Sequence, residues 1–189
     1  MLKKISKYFM LGCVGGAVYY TKDASNQSIT DSLFSKNNAN QNGATGISAY
    51  AIGGGGIYGL SSNVTIEKSN FTENWANASG GAIFFSSAQN LSISDASFTG
   101  NEANSTGAYT GGGAICYSSC KYGSIENVNF TDNYARQYGG AVHFYKGNNQ
   151  SIVDSSFSSN VANSSGGAVC YYTSTNGSIE NVNFTENSA

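Results

Sequence analysis

At 189 residues the chain has room for one domain of ordinary size. Its 11% charged residues and formal net charge of −2 supply neither the basic field that holds nucleic-acid phosphates nor an acidic interaction tail. The 40% apolar fraction, with 10 Phe and 13 Tyr, argues against disorder despite 24 Gly, and no apolar stretch approaches the ~20 residues of a membrane-spanning helix.

At the N-terminus, Lys3 and Lys4 precede a short apolar run from Tyr8 to Val14, in the manner of an export signal. Leu11-Gly12-Cys13 faintly resembles a lipoprotein cleavage site. The run is short and broken by glycine, and Gly15-Gly16-Ala17-Val18-Tyr19-Tyr20 reads better as the first copy of a repeat.

Two blocks then alternate along the chain. The first is Gly-Gly, then Ala or Gly, then Ile or Val, usually followed by aromatic residues. It opens at Gly15 and Gly54 and recurs as Gly80-Gly81, Gly112-Gly113, Gly139-Gly140 and Gly166-Gly167. The second carries the pairs Ile29–Phe34, Ile66–Phe71, Ile93–Phe98, Ile125–Phe130, Ile152–Phe157 and Ile179–Phe184. Each pair is followed by an Asn (Asn37, Asn74, Asn101, Asn133, Asn160, Asn187) and closed by an Ala. Surplus residues fall near 40–53 and 104–111, in the same gap of the repeat, as loops on one side of a solenoid do.

Short alternating segments such as Val128-Asn129-Phe130 have the strand period, and Gly-rich breaks interrupt them. The chain therefore predicts an all-β fold, a single-stranded parallel β-helix of about six coils of roughly 27 residues, with two or three short strands per coil. The crossover rule makes it right-handed. In this fold the Phe row points into the core and the Gly pairs turn a corner, while the Asn row forms a ladder of stacked amides. A lone coil cannot offset its own ordering entropy, so residues 1–189 read as a segment of a longer solenoid, with further chain or a capping partner at the C-terminal end.

Gly80-Gly81-Ala82-Ile83 with Phe71-Thr72-Glu73-Asn74, and Gly112-Gly113-Ala114-Ile115 with Phe130-Thr131-Asp132-Asn133, resemble the repeats of the chlamydial polymorphic outer membrane proteins. Valine replaces Ile at Val18, Val142 and Val169, and Gly56 replaces the Ala. The resemblance implies a β-helical autotransporter passenger at the cell surface, associated with the outer membrane. There it would act as an adhesin toward a host cell-surface protein or glycan.

The competing class is a polysaccharide lyase or glycan hydrolase, which needs clustered carboxylates and a cationic group. The chain has one Arg (Arg136), one His (His143) and 11 acids. Asp95 and Asp154 share a repeat position with Asn127 between them, and Glu73, Asp132 and Glu186 share another. These read as a solvated face, so the expectation is that the chain is not an enzyme and has neither catalytic residues nor a cofactor.

Cys116, His143 and Cys170 occupy one position in three successive coils. The two thiols would stand ~9–10 Å apart at a ~4.8 Å coil spacing, too far to share a zinc or a disulfide, so no metal is expected. Cys116 and Cys120 could pair if the chain turns sharply between them. Tyr19, Tyr58 and Phe84 hold the same position in earlier coils and are the candidate binding strip. A regular Thr-x-Thr array of the ice-binding kind is absent.

Overall fold

The computed structural model describes residues 3–6, 16–40 and 53–189. Among them every regular element is a strand, from Lys3–Ser6 to Asn183–Thr185. Equivalent strands of successive coils pair in parallel, giving a right-handed single-stranded β-helix of six coils. Each full coil has four strands instead of two or three. In the fourth coil these are Ile115–Ser118, Lys121–Glu126, Asn129–Thr131 and Tyr134–Ala135. They define four sheets, named first to fourth in that order, with six, six, seven and five strands. The last strand type is two residues long, too short to display a period.

Coil-to-coil offsets along the Asn row are 37, 27, 32, 27 and 27 residues, yet register is kept throughout. The surplus is extruded between the fourth strand and the next Gly pair. Within the loop at 104–111, Thr110 is buried and its hydroxyl donates to the Gly107 carbonyl at 2.7 Å. The loop near 40–53 lies almost wholly outside the described residues, as do Tyr8–Val14, Cys13 and Gly15. Strand Val18–Tyr20 joins the first sheet, so this stretch is repeat, and Lys3–Ser6 adds a strand to the third sheet.

The core is built of rows. Phe34, Phe71, Phe98, Phe130, Phe157 and Phe184 stack with centroids 4.6–5.1 Å apart. The Ile row runs beside them in register, from Ile29 to Ile179. Ile179 and Phe184 are half exposed, because no further described coil stacks on them. The Asn row is a continuous ladder: each side-chain oxygen from Asn74 to Asn187 accepts from the backbone and side-chain nitrogens of the Asn one coil before.

The two glycines of a pair serve different ends. Gly112 has φ +70°, where a side chain is strained. A Cβ on Gly140 would instead sit 1.9 Å from the Gly167 carbonyl oxygen, so the second glycine lets coils stack closely.

Other corners use polar residues at positive φ. Asp31, Lys68, Asp95, Asn127, Asp154 and Asn181 form one such column, between the second and third sheets. Asp and Asn tolerate this conformation, which explains much of the polarity seen there in sequence. Among the described residues no helix is long and apolar enough to cross a membrane.

Candidate functional site

Strands of the first sheet send alternate residues outward, in two columns. Tyr19, Tyr58, Phe84, Cys116, His143 and Cys170 form one; Ser86, Ser118, Tyr145 and Tyr172 lie two residues further on. The segment entering each Gly pair folds back over the first column. Gly53 is so close to Phe84, and Gly111 to His143, that an added Cβ would approach them to 2.9 and 3.0 Å.

The predicted strip therefore keeps its alignment but not its exposure. Tyr58 and Phe84 are buried with Cys116 against Leu60, and Tyr19 alone is open, at 47%. Tyr58 stacks between Tyr19 and Phe84 at 5.5 and 5.3 Å, and burial pushes its phenol up to about 12.

Cys116 and Cys120 are free thiols: Cys116 packs with the outer cluster of Tyr58 and Phe84, while Cys120, in the turn after the strand Ile115–Ser118, packs in the main core, so they do not pair. Burial raises both. The Cys120 thiol packs 3.4 Å from the carbonyls of Phe85 and Ser118. Cys116, His143 and Cys170 do follow one another coil by coil. Among the described residues, however, no group of three His, Cys, Asp or Glu side chains gathers to hold a metal.

His143 is fully buried and neither ring nitrogen has a hydrogen-bond partner, so desolvation lowers its pKa to about 4. An unfolded imidazole titrates near 6.5. Between these values the unfolded state binds the extra proton, so stability is full above pH 6.5 and falls as pH drops toward 4. Urea unfolding at pH 7.5 and 4.5 should show a loss of about 2–3 kcal/mol from this residue. His143→Phe should remove that part of the pH dependence; an identical pH dependence in the variant would refute the assignment.

Above His143 the outer face becomes aromatic. Tyr109, from the loop at 104–111, stacks on Tyr145 at 5.3 Å with planes 11° apart and meets Tyr172 at 5.2 Å. Tyr172 also lies 5.3 Å from Tyr138 and 6.0 Å from Tyr145. Tyr138 covers His143 at 5.6 Å, from the position that Gly111 occupies one coil earlier. Lys146 places its ammonium 5.1 Å from the centre of the Tyr145 ring. Tyr109 has φ 67°, a strained conformation for a bulky residue, held here by its ring contacts. Desolvation and the neighbouring hydroxyls of Tyr109 and Tyr138 raise the Tyr172 phenol.

Four clustered tyrosines with rings and hydroxyls at the surface can stack against a flat apolar face while hydrogen-bonding its polar rim. Sequence reasoning missed this platform. Tyr145 and Tyr172 are legible as one repeat position in successive coils, whereas Tyr109 sits in an insertion with no register.

The acids gather elsewhere. The corner between the second and third sheets carries one carboxylate per coil: Asp31, Glu67, Asp95, Glu126, Asp154 and Glu180. They alternate between strand end and turn, which spaces like charges. Asn127 donates to Asp95 at 2.6 Å and Asn181 donates to Asp154. Glu73, Asp132 and Glu186 line the next corner, where Lys36 pairs with Glu73 at 3.3 Å.

Fold and surface together define a repeat-built parallel β-helix with an aromatic platform on one face. Two segments, 68–86 and 154–171, match the Chlamydia polymorphic membrane protein repeat. The backbone is similar to the crystal structure of a candidate glycosyl hydrolase from Parabacteroides merdae ATCC 43184. The TM-score is 0.56, with 15% identity over 91% of this chain and 80% of that one. No curated protein sequence matches the chain. At this identity the structural likeness carries the fold and not the residues of a site. It nevertheless corrects the expectation that the chain is not an enzyme: a scaffold shared with a candidate glycosyl hydrolase gives no ground for setting catalysis aside.

Proposed function

We propose that this chain is a glycan-acting β-helix that takes hold of sugar rings on the platform of Tyr109, Tyr138, Tyr145 and Tyr172. The observation that carries the reading is the platform itself, four mutually packed tyrosines on the outside of a rigid sheet. The likeness to a candidate glycosyl hydrolase supports it. The acidic corner with Asp95 and Asp154 lies across the second sheet from the platform, ~17 Å by strand rise, so the platform is assigned to binding and no carboxylates are named as a catalytic pair.

A second reading, display at a cell surface as an adhesin-like segment of a longer protein, draws on the match to the Chlamydia repeat. The two are compatible, since a displayed β-helix can bind and cleave the same glycan.

The test is a panel of soluble oligosaccharides, with bound ligand and released reducing ends measured in the same wells. Wild type should bind saturably, and a Tyr145→Ala/Tyr172→Ala variant should bind at least about tenfold more weakly. Unchanged binding in the tyrosine variant, with its fold intact by circular dichroism, would sink the platform as the site.

A further inference from the structure

A polar track runs along the corner between the first and second sheets. Its spine is the column Asn26, Asn63, Asn90, Tyr122, Asn149 and Asn176, all at positive φ. In the first three coils the track is a shallow depression of about 450 Å³ lined by Asn26, Gln27, Ser28, Asn63, Thr65 and Asn90. The groups there are amides and hydroxyls, with no charge. Asn90 donates to Asn63 at 2.8 Å, which holds the amides in line with the helix axis.

In the fourth and fifth coils the track changes character. Lys121 and Tyr122 are exposed, Tyr122 at 54%, and Lys146 lies one coil on, beside Tyr145. The ion pairs among the described residues are Lys36–Glu73 and Lys68–Glu67, so Lys121 and Lys146 have no carboxylate within pairing distance. The acidic corner is at the far end of the strand Lys121–Glu126, ~17 Å away by strand rise. Asp23, in the first coil, sits beside Lys22. Two unpaired cations thus flank an aromatic surface, and the carboxylates of the same coils face the other way.

We propose that this corner binds a linear anionic glycan whose chain runs parallel to the helix axis. Resting on the glycan reading above, the inference adds the charge class and the direction of the ligand. Sugar hydroxyls meet the amides and hydroxyls of the depression. Ring faces lie on Tyr122 and Tyr145, and carboxylate or sulfate groups meet Lys121 and Lys146. From Asn26 to Asn176 the track covers five coil steps, ~24 Å, so it accommodates several sugar units in a row.

The experiment measures affinity for neutral and uronate oligosaccharides of matched length, and for a sulfated oligosaccharide, with single-stranded DNA as a generic polyanion. Wild type should prefer the anionic sugars by about tenfold at low salt, as expected for two exposed charge contacts. Affinity should rise with chain length, and DNA should bind no better than neutral sugar. Lys121→Gln/Lys146→Gln should abolish the preference for anionic over neutral sugar. Both lysines are exposed, so the variant should fold; circular dichroism checks this. Equal affinity for neutral and anionic sugars would overturn this inference alone. Tight DNA binding would reduce it to a generic polyanion contact. Failure to bind any sugar would overturn the glycan reading with it.

Discussion

Replacing Phe130 with alanine is expected to lower the free energy of unfolding by ~3–5 kcal/mol. The ring is fully buried between Phe98 and Phe157, whose centroids lie 5.1 and 4.6 Å away with planes 12° and 8° from parallel. Those neighbours cannot close the gap, because each is fixed by its own strand in the third sheet. The cavity should therefore persist and cost its full contact energy. A solenoid amplifies the damage, since each coil is stabilised only by the coils that touch it. Phe184→Ala is the internal control: the same row, but 48% exposed, and expected to cost roughly 1 kcal/mol. Urea unfolding of both variants tests the register. Comparable losses, or native-like stability in Phe130→Ala, would mean that the Phe row is not the core.

The rows were readable because each is one residue type at one position, repeated coil after coil. Phe98, Phe130 and Phe157 announce the core, and Asn101, Asn133 and Asn160 announce the ladder, at offsets that also reveal the insertions. Exposure was harder to read. Alternation correctly turned Tyr58 and Phe84 outward, but no local pattern shows that the chain entering the next Gly pair covers them. The fourth strand escaped notice because two residues carry no period.

The platform escaped for a different reason. Its geometry depends on Tyr109, whose loop has no counterpart in other coils, and on Tyr138, which replaces the small residues Gly53, Ser79 and Gly111. Departures from the repeat build the surface, and departures are what a repeat-based reading discounts. Lys121 and Lys146 were passed over likewise: as single charges in a low-charge chain they mean little until the sheet places both beside tyrosines.

Asn133→Ala should cost as much as the loss of Phe130, or more, although it removes only a few atoms. The side-chain oxygen accepts from the Asn101 backbone amide at 3.0 Å and from its side-chain amide at 2.9 Å. The side-chain nitrogen donates to the Phe98 carbonyl at 3.0 Å and to Asn160 Oδ1 at 2.9 Å. All of these groups are buried, so truncation leaves the Asn101 backbone N–H and one of its side-chain N–H bonds without an acceptor, while the other stays on the Phe71 carbonyl at 3.0 Å. It also takes a donor from the Phe98 carbonyl; at ~1–3 kcal/mol per unsatisfied group the loss is ~3–6 kcal/mol together. Asn133→Asp separates shape from hydrogen bonding. It keeps the acceptor facing Asn101 but sets a second oxygen against the Phe98 and Asn160 oxygens, in a site with no cation. At pH 7 it should be at least as damaging as alanine, because a buried charge replaces a hole. The introduced carboxyl has its pKa raised by burial and by the opposing oxygens. As pH falls it takes up a proton in the folded state and can donate to one of them. The aspartate variant should therefore gain stability relative to the alanine variant between pH 7 and pH 5. Parallel stability–pH curves for the two variants would show that donation along the ladder does not hold the coils together, and that the Asn row contributes only its fit to the corner.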